Sequence, residues 1–107
     1  MITGGASGPR HSYGSVTAGG TIENAGSGDW SVSLTSVGVY AVTFLTPFIT
    51  IPTVSVDLTA TNAMIIANAF AAYLQLASYS QAGFTCETAK GSTLVSTVGF
   101  DFIAVGT

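Results

Sequence analysis

The stretch GVYAVTFLTPFITIPTVSV, residues 38–56, decides the fold. Tyr40, Val42 and Phe44 alternate with Ala41 and Thr43, and Val54 and Val56 alternate with Thr53 and Ser55. A period of two is the pattern of a strand with one face buried. Between the two runs, Pro47 and Pro52 each lack an N–H group and so bar a central strand there. Residues 45–52 therefore read as a corner between two antiparallel strands, with Phe48 and Ile51 pointing inward. The whole stretch carries no charged side chain.

The same period extends in both directions. Trp30, Val32 and Leu34 alternate with Ser31, Ser33 and Thr35, and the strand after the corner continues through Asp57 to Leu58 and Thr59. Ala82, Phe84, Cys86 and Thr88 form another alternating run, stopped by Lys90, Gly91 and Ser92. Phe100, Phe102 and Ala104 form the last, which ends at Gly106. Residues 62–80, NAMIIANAFAAYLQLASYS, suit a helix by composition, yet their alternation favours a hairpin turning near Ala71 and Ala72. Seven or eight short strands separated by Gly, Pro or Asn predict an all-β antiparallel sandwich. Residues 1–28 are rich in Gly, Ser and Thr, a composition that buries little, and they read as a leader holding one weak strand within residues 14–22. The packed domain is then expected over residues 29–107.

Charge is scarce. Only 7% of the 107 residues are Asp, Glu, Lys or Arg, against about 25% in an average soluble domain. Ser and Thr cover strand faces in their place, but 48% hydrophobic content is more than they can cover in so small a volume. Several copies of the chain are expected to share their apolar faces. With Arg10 and Lys90 as the only strong cations and a net charge of −3, nucleic acid is not an expected partner. No apolar run reaches the length of a spanning helix, so no membrane insertion is expected either.

No catalytic constellation emerges. His11, the sole histidine, lies in the Gly-rich leader, where a general base would be poorly held. Glu23, Asp29, Asp57, Glu87 and Asp101 are scattered singly. Asp57 and Asp101 each interrupt an apolar run, so at a subunit interface they would need hydrogen-bond partners. Cys86, the single cysteine, is in phase with Phe84 and reads as a small core residue. Trp30 reads as core for the same reason. Tyr73 and Tyr79 fall out of phase with Leu74 and Leu76, and are expected to face solvent or another subunit. The chain is read as a non-enzyme that needs no metal and no cofactor.

Residues 26–59, GSGDWSVSLTSVGVYAVTFLTPFITIPTVSVDLT, with the terminal VGFDFIAVGT, resemble the carboxy-terminal tip domains of bacteriophage tail fibres. Trp30, Gly38, Tyr40, Phe44, Pro47, Phe48, Pro52, Val54, Val56, Phe100, Phe102, Ile103, Ala104 and Gly106 stand at that family's pattern positions, while Leu34 departs from it where a basic residue is common. A similar core occurs in the H-type lectins. The resemblance implies a homotrimeric knob at the distal end of a tail fibre of the virion, joined to the shaft by the leader. It implies adhesion to a polysaccharide or other receptor on the bacterial surface. The candidate ligand-binding residues, taken from the less well matched middle, are Asn62, Tyr73, Gln75, Tyr79, Gln81 and Lys90. Two alternatives are the terminal domain of a capsule-degrading tailspike and a purely structural trimerisation knob.

Overall fold

A computed structural model describes residues 9–59 and 69–107. The described residues are all β, in two antiparallel sheets with no helix. Nine strands follow in chain order: β1 (Arg10–Val16), β2 (Ile22–Asn24), β3 (Trp30–Ser36), β4 (Val39–Phe44), β5 (Thr53–Leu58), β6 (Phe70–Ser80), β7 (Gly83–Lys90), β8 (Thr93–Leu94) and β9 (Phe100–Gly106). One sheet has the order β2-β1-β9-β5, the other β3-β4-β7-β6, with the short β8 also pairing β7.

Alternation fixes which side chains face the core. From the first sheet Val16, Phe100, Phe102, Ala104 and Val54 point inward, and from the second Trp30, Tyr40, Val42, Phe44, Phe84 and Cys86, all of them buried. Aromatic edges join the two layers. Trp30 meets Phe102 at 4.8 Å between ring centroids, Tyr40 meets Phe100 at 5.2 Å, and Phe84 meets Phe102 at 5.2 Å, each in an edge-to-face arrangement. Such pairs add about 0.5–1.5 kcal/mol each beyond the area they bury. The Tyr40 hydroxyl donates to the Ala18 carbonyl at 2.7 Å, so even this fully buried phenol is satisfied.

The weak strand expected within residues 14–22 begins earlier. Arg10–Val16 pairs along its full length with β9, and Val16 is completely buried. Composition hides this strand because its inward positions are Ser12, Gly14 and Val16, two of which bury almost no apolar surface. Gly14 leaves room for something larger. A Cβ there would stand 2.1 Å from Trp30 Cζ2, so the indole occupies the space a side chain would need. The indole Nε1 donates to both the Tyr13 carbonyl at 3.0 Å and the Ala25 carbonyl at 2.9 Å, which fastens the β2–β3 loop to β1.

Arg10 and Asp29 close the same loop from outside. The guanidinium donates to Asp29 Oδ2 at 3.1 Å and to the Pro47 carbonyl at 3.1 Å, and lies 4.2 Å over the Phe48 ring. Ser12 and Ser27 donate to Asp29 Oδ1 at 2.8 and 2.6 Å. Burial pushes the Asp29 carboxyl up, but the hydrogen bonds from Ser27, Ser12, Arg10 and its own backbone outweigh it, and the pKa lies below its ordinary value.

Three expectations need correction. Of the corner residues, Phe48 is buried as expected, but Ile51 is 64% exposed and Pro52 takes the inward place. The corner has no ladder to impose a period of two, so alternation does not carry through it. The hairpin turn expected near Ala71 and Ala72 is absent: both lie within β6, opposite Ala89 and Thr88, and the chain turns at Gln81–Ala82 instead. Finally, Tyr79 packs against the core. The register of β6 against β7 shifts between Gln75 and Ser80, and that shift resets the alternation from which an outward Tyr79 was expected.

Two outcomes are expected. Gly14→Ala should lower stability by about 1–3 kcal/mol, the usual cost of overpacking a core, measured as a lower urea midpoint with an unchanged m-value. Because the native Asp29 carboxyl titrates below its ordinary 3.8, its contribution is complete above that value and is lost as pH falls through the lower native one. Asp29→Asn should therefore be less stable than the parent at neutral pH. The gap should narrow below about pH 4; a gap constant down to pH 2 would contradict the assignment.

Candidate functional site

The outer face of the four-stranded sheet is built from the residues that alternate with its core positions. The ladders align them in rows across β1, β9 and β5: Ser15, Asp101 and Asp57; Tyr13, Ile103 and Ser55; His11, Val105 and Thr53. Beyond β1, β2 and the loop after it rise as a wall carrying Asn24 and Gly26. The result is an open groove of about 520 Å³ lined by Tyr13, Asn24, Ser55, Asp57, Asp101 and Ile103. That volume lies in the range of small-ligand sites.

Tyr13 is the groove's aromatic. Its backbone is held on both sides: the Tyr13 N–H donates to Ser27 Oγ at 2.9 Å, and its carbonyl accepts from Ser27 N at 3.0 Å and from the Trp30 indole. Gly26, at φ 54°, packs so close that a Cβ would stand 2.2 Å from the Tyr13 carbonyl oxygen and 2.8 Å from the ring. Only glycine permits this approach. The Tyr13 side chain is nonetheless 47% exposed, standing at the groove's rim on a rigid base.

Register brings two acidic residues opposite one another. Asp57 and Asp101 are direct cross-strand partners on one face, where side chains start about 4.5–5.5 Å apart. Asp101 Oδ1 accepts from Ser15 Oγ at 2.7 Å, and Asp57 Oδ1 accepts from the Leu58 N–H at 2.9 Å. Neither faces a cation: the ion pair among the described residues is Arg10–Asp29. Like charges directly opposite in a ladder are destabilising. Among the described residues no three His, Cys, Asp or Glu side chains gather as a metal site.

The candidate residues from the sequence fall elsewhere. Asn62 lies outside the described residues. Tyr73 and Gln75 belong to β6, opposite Glu87 and Thr85, and their side chains are also outside the described set. The Tyr79 hydroxyl donates to the Pro52 carbonyl and accepts from Val54 N–H at 2.8 Å, so its ring and hydroxyl join β6 to the start of β5. Gln81 donates from Nε2 to the Ile49 carbonyl, and its own carbonyl accepts from Phe48 N–H at 2.9 Å, which ties the β6–β7 turn to the proline corner. Lys90 is exposed at the other end of β7. An eight-residue strand puts Gln81 and Lys90 more than about 20 Å apart, too far for one small ligand.

Tyr13 and Asn24 escaped the sequence reading, while Asp57 and Asp101 were singled out there as interruptions of apolar runs but not as groove residues. Tyr13 sits in a stretch whose composition resembles a linker; its alternation with Ser12 and Gly14 was the available signal. The Asp57–Asp101 pairing is a matter of register, and strands more than forty residues apart in sequence do not reveal it.

Asp57→Asn should stabilise the fold by about 0.2–1 kcal/mol through relief of that repulsion, because a carboxamide oxygen still accepts from Leu58 N–H. The gain should shrink in 1 M salt, where screening is nearly complete; a loss of stability would show that the pair is not repulsive. No family model matches the chain, nor does a curated protein or a solved structure match it.

Proposed function

We propose that this chain is a non-enzymatic adhesion domain, the distal knob of a phage tail fibre, that assembles as a homotrimer and holds a polysaccharide of the bacterial surface. The observation that carries the reading is the sidedness of the sandwich. One outer face bears the groove with its rigidly based Tyr13 and two uncompensated carboxylates. The other bears Ser31, Ser33, Ala41 and Thr43, small and neutral, with Glu87 and Lys90 as the only ionisable residues of its strands. A face that uncharged suits packing against further copies of the chain, as obligate interfaces do. Leu45, Ile49 and Ile51, exposed at 64, 68 and 64% around the proline corner, add aliphatic surface that assembly would cover.

The capsule-degrading alternative gains one observation, the Asp57–Asp101 pair, since glycoside hydrolysis uses two carboxyl groups. Direct cross-strand pairing starts the two side chains about 4.5–5.5 Å apart, close to the roughly 5–5.5 Å of a retaining pair, so release of oligosaccharide is the measurement that separates the two readings.

Sedimentation of the purified chain at micromolar concentration should give three times the 10.8 kDa protomer mass. A glycan array of bacterial capsules and lipopolysaccharides should retain the labelled protein at a subset of spots, with no oligosaccharide released from the bound polymers. A lone protomer would remove the trimer, released fragments would favour the tailspike reading, and a trimer bound nowhere would leave a structural knob.

A further inference from the structure

Beyond the adhesion reading and independently of it, we infer that β3 is a docking edge for β3 of a second copy of the chain, the two strands pairing antiparallel about a two-fold axis at Ser33. Phe44 N–H donates to the Ala82 carbonyl on the β7 side of β4, and Leu45 N–H donates to the Asp29 carbonyl on the β3 side. Alternation then turns the backbone groups of Ala41 and Thr43 toward β3, where they meet Ser33 and Ser31. Val32 and Leu34 point their N–H and C=O groups the other way, and β3 ends its sheet. Those groups stand at an open edge with no partner among the described residues.

The other edges are guarded. An unpaired edge invites another chain, and folds blunt it with short strands, charge or irregular pairing. β2 is three residues long and carries Glu23, and β8 is two residues long. β5 carries Asp57, and its Val54 N–H is taken by the Tyr79 hydroxyl. The β6 ladder is broken by its register shift between Gln75 and Ser80. β3, WSVSLTS, holds neither charge nor proline, and its register against β4 is regular from Trp30 to Leu34. Gly20 keeps the approach free of a side chain: a Cβ there would stand 2.5 Å from Leu34 Cβ and 3.2 Å from Leu34 N.

Charge and pattern select the occupant. The chain carries a net charge of −3, and an edge bearing Glu23 or Asp57 meets a like charge when it approaches its own copy. β3 meets none. An isologous contact must also be self-complementary. Centred on Ser33, the run Ser31-Val32-Ser33-Leu34-Thr35 gives hydroxyl, apolar, hydroxyl, apolar, hydroxyl in both directions. Antiparallel pairing on that centre matches the edge-facing backbone of Val32 to Leu34 of the second copy, and sets Ser31 opposite Thr35 of the second copy. Val32 is half-buried and Leu34 is 38% exposed, although both share the inward phase of Trp30. Pairing lays these incompletely covered side chains against each other.

Disulfide trapping and sedimentation test the pairing. In this register Ser33 faces its own equivalent and Ser31 faces Thr35, both as non-hydrogen-bonded pairs with Cα atoms about 4.5 Å apart, which is within disulfide reach. Under air oxidation Ser33→Cys should give a linked dimer of twice the 10.8 kDa protomer, as should Ser31→Cys/Thr35→Cys. Ser31→Cys alone and Thr35→Cys alone should stay unlinked, because each lies about 13 Å along the ladder from its own equivalent. Cys86 is buried, so the parent should stay unlinked too. Val32→Pro added to Ser33→Cys removes an N–H that faces the edge and not β4, and should abolish the link while the melting transition persists. The parent's sedimenting mass should double between micromolar concentration and about 1 mM, from three protomers to six, or from one to two where the trimer fails. A constant mass, no link in Ser33→Cys, or a link in Ser31→Cys alone as ready as in Ser33→Cys would each overturn the inference. The adhesion reading survives any of these, because it stands or falls on the glycan array.

Discussion

The contact between Trp30 and Gly14 organises the molecule. The indole fills the volume that any other residue at position 14 would claim, crosses from one sheet to the other to meet Phe102 edge-on, and fastens the β2–β3 loop through its two-acceptor N–H. Each part constrains the others. With a side chain at position 14 the indole could not lie flat against β1, the loop would lose its anchor, and Ser27 would no longer hold both backbone groups of Tyr13. Tyr13 is next to Gly14 in the chain and so points the opposite way. Core packing on the inner face thereby sets the aromatic of the outer groove, and a rigid strand base is what a recognition residue requires.

The scarcity of charge gives the few ionised groups unusual consequence. Among the described residues Arg10 and Asp29 are used to lock the first strand, the loop and the proline corner together, a structural use with three hydrogen bonds to the Asp29 carboxylate from Arg10, Ser12 and Ser27. Asp57 and Asp101 are placed in the opposite manner, adjacent, on the surface and without a counter-ion. Each returns one hydrogen bond to the fold, Asp101 accepting from Ser15 Oγ across the β1–β9 ladder and Asp57 from the Leu58 N–H.

The strands that bury large side chains were legible from the sequence. Tyr40, Val42 and Phe44, then Val54, and later Phe100, Phe102 and Ala104, alternate strongly and lie inward as their period dictates. Alternation failed where it was interrupted physically. The corner has no ladder, so Ile51 turned out and Pro52 in; β6 carries an irregularity, so Tyr79 reversed its side. β1 was nearly invisible because a strand that packs Ser12 and Gly14 against a neighbour's indole shows no hydrophobic period. The groove was not legible for a further reason. Its lining comes from β1, β5, β9 and the wall after β2, and their relative register depends on the whole sandwich closing.

The energetics of such a groove bear on how it would act. It is open, and an exposed polar contact contributes about 0.2–1 kcal/mol, so a few such contacts leave a single site weaker than the millimolar range, which takes about 4 kcal/mol. A lone domain of that affinity would not hold a particle to a cell. On the trimeric reading each knob presents three grooves on the faces turned away from the shared neutral surface, and linkage converts later contacts into intramolecular ones worth factors of 10² to 10⁴. Weak and reversible single contacts then become useful, because a particle can sample a surface before many sites engage together. On that reading the same uncharged strands would supply both the shared surface and the multiplicity that a shallow groove needs.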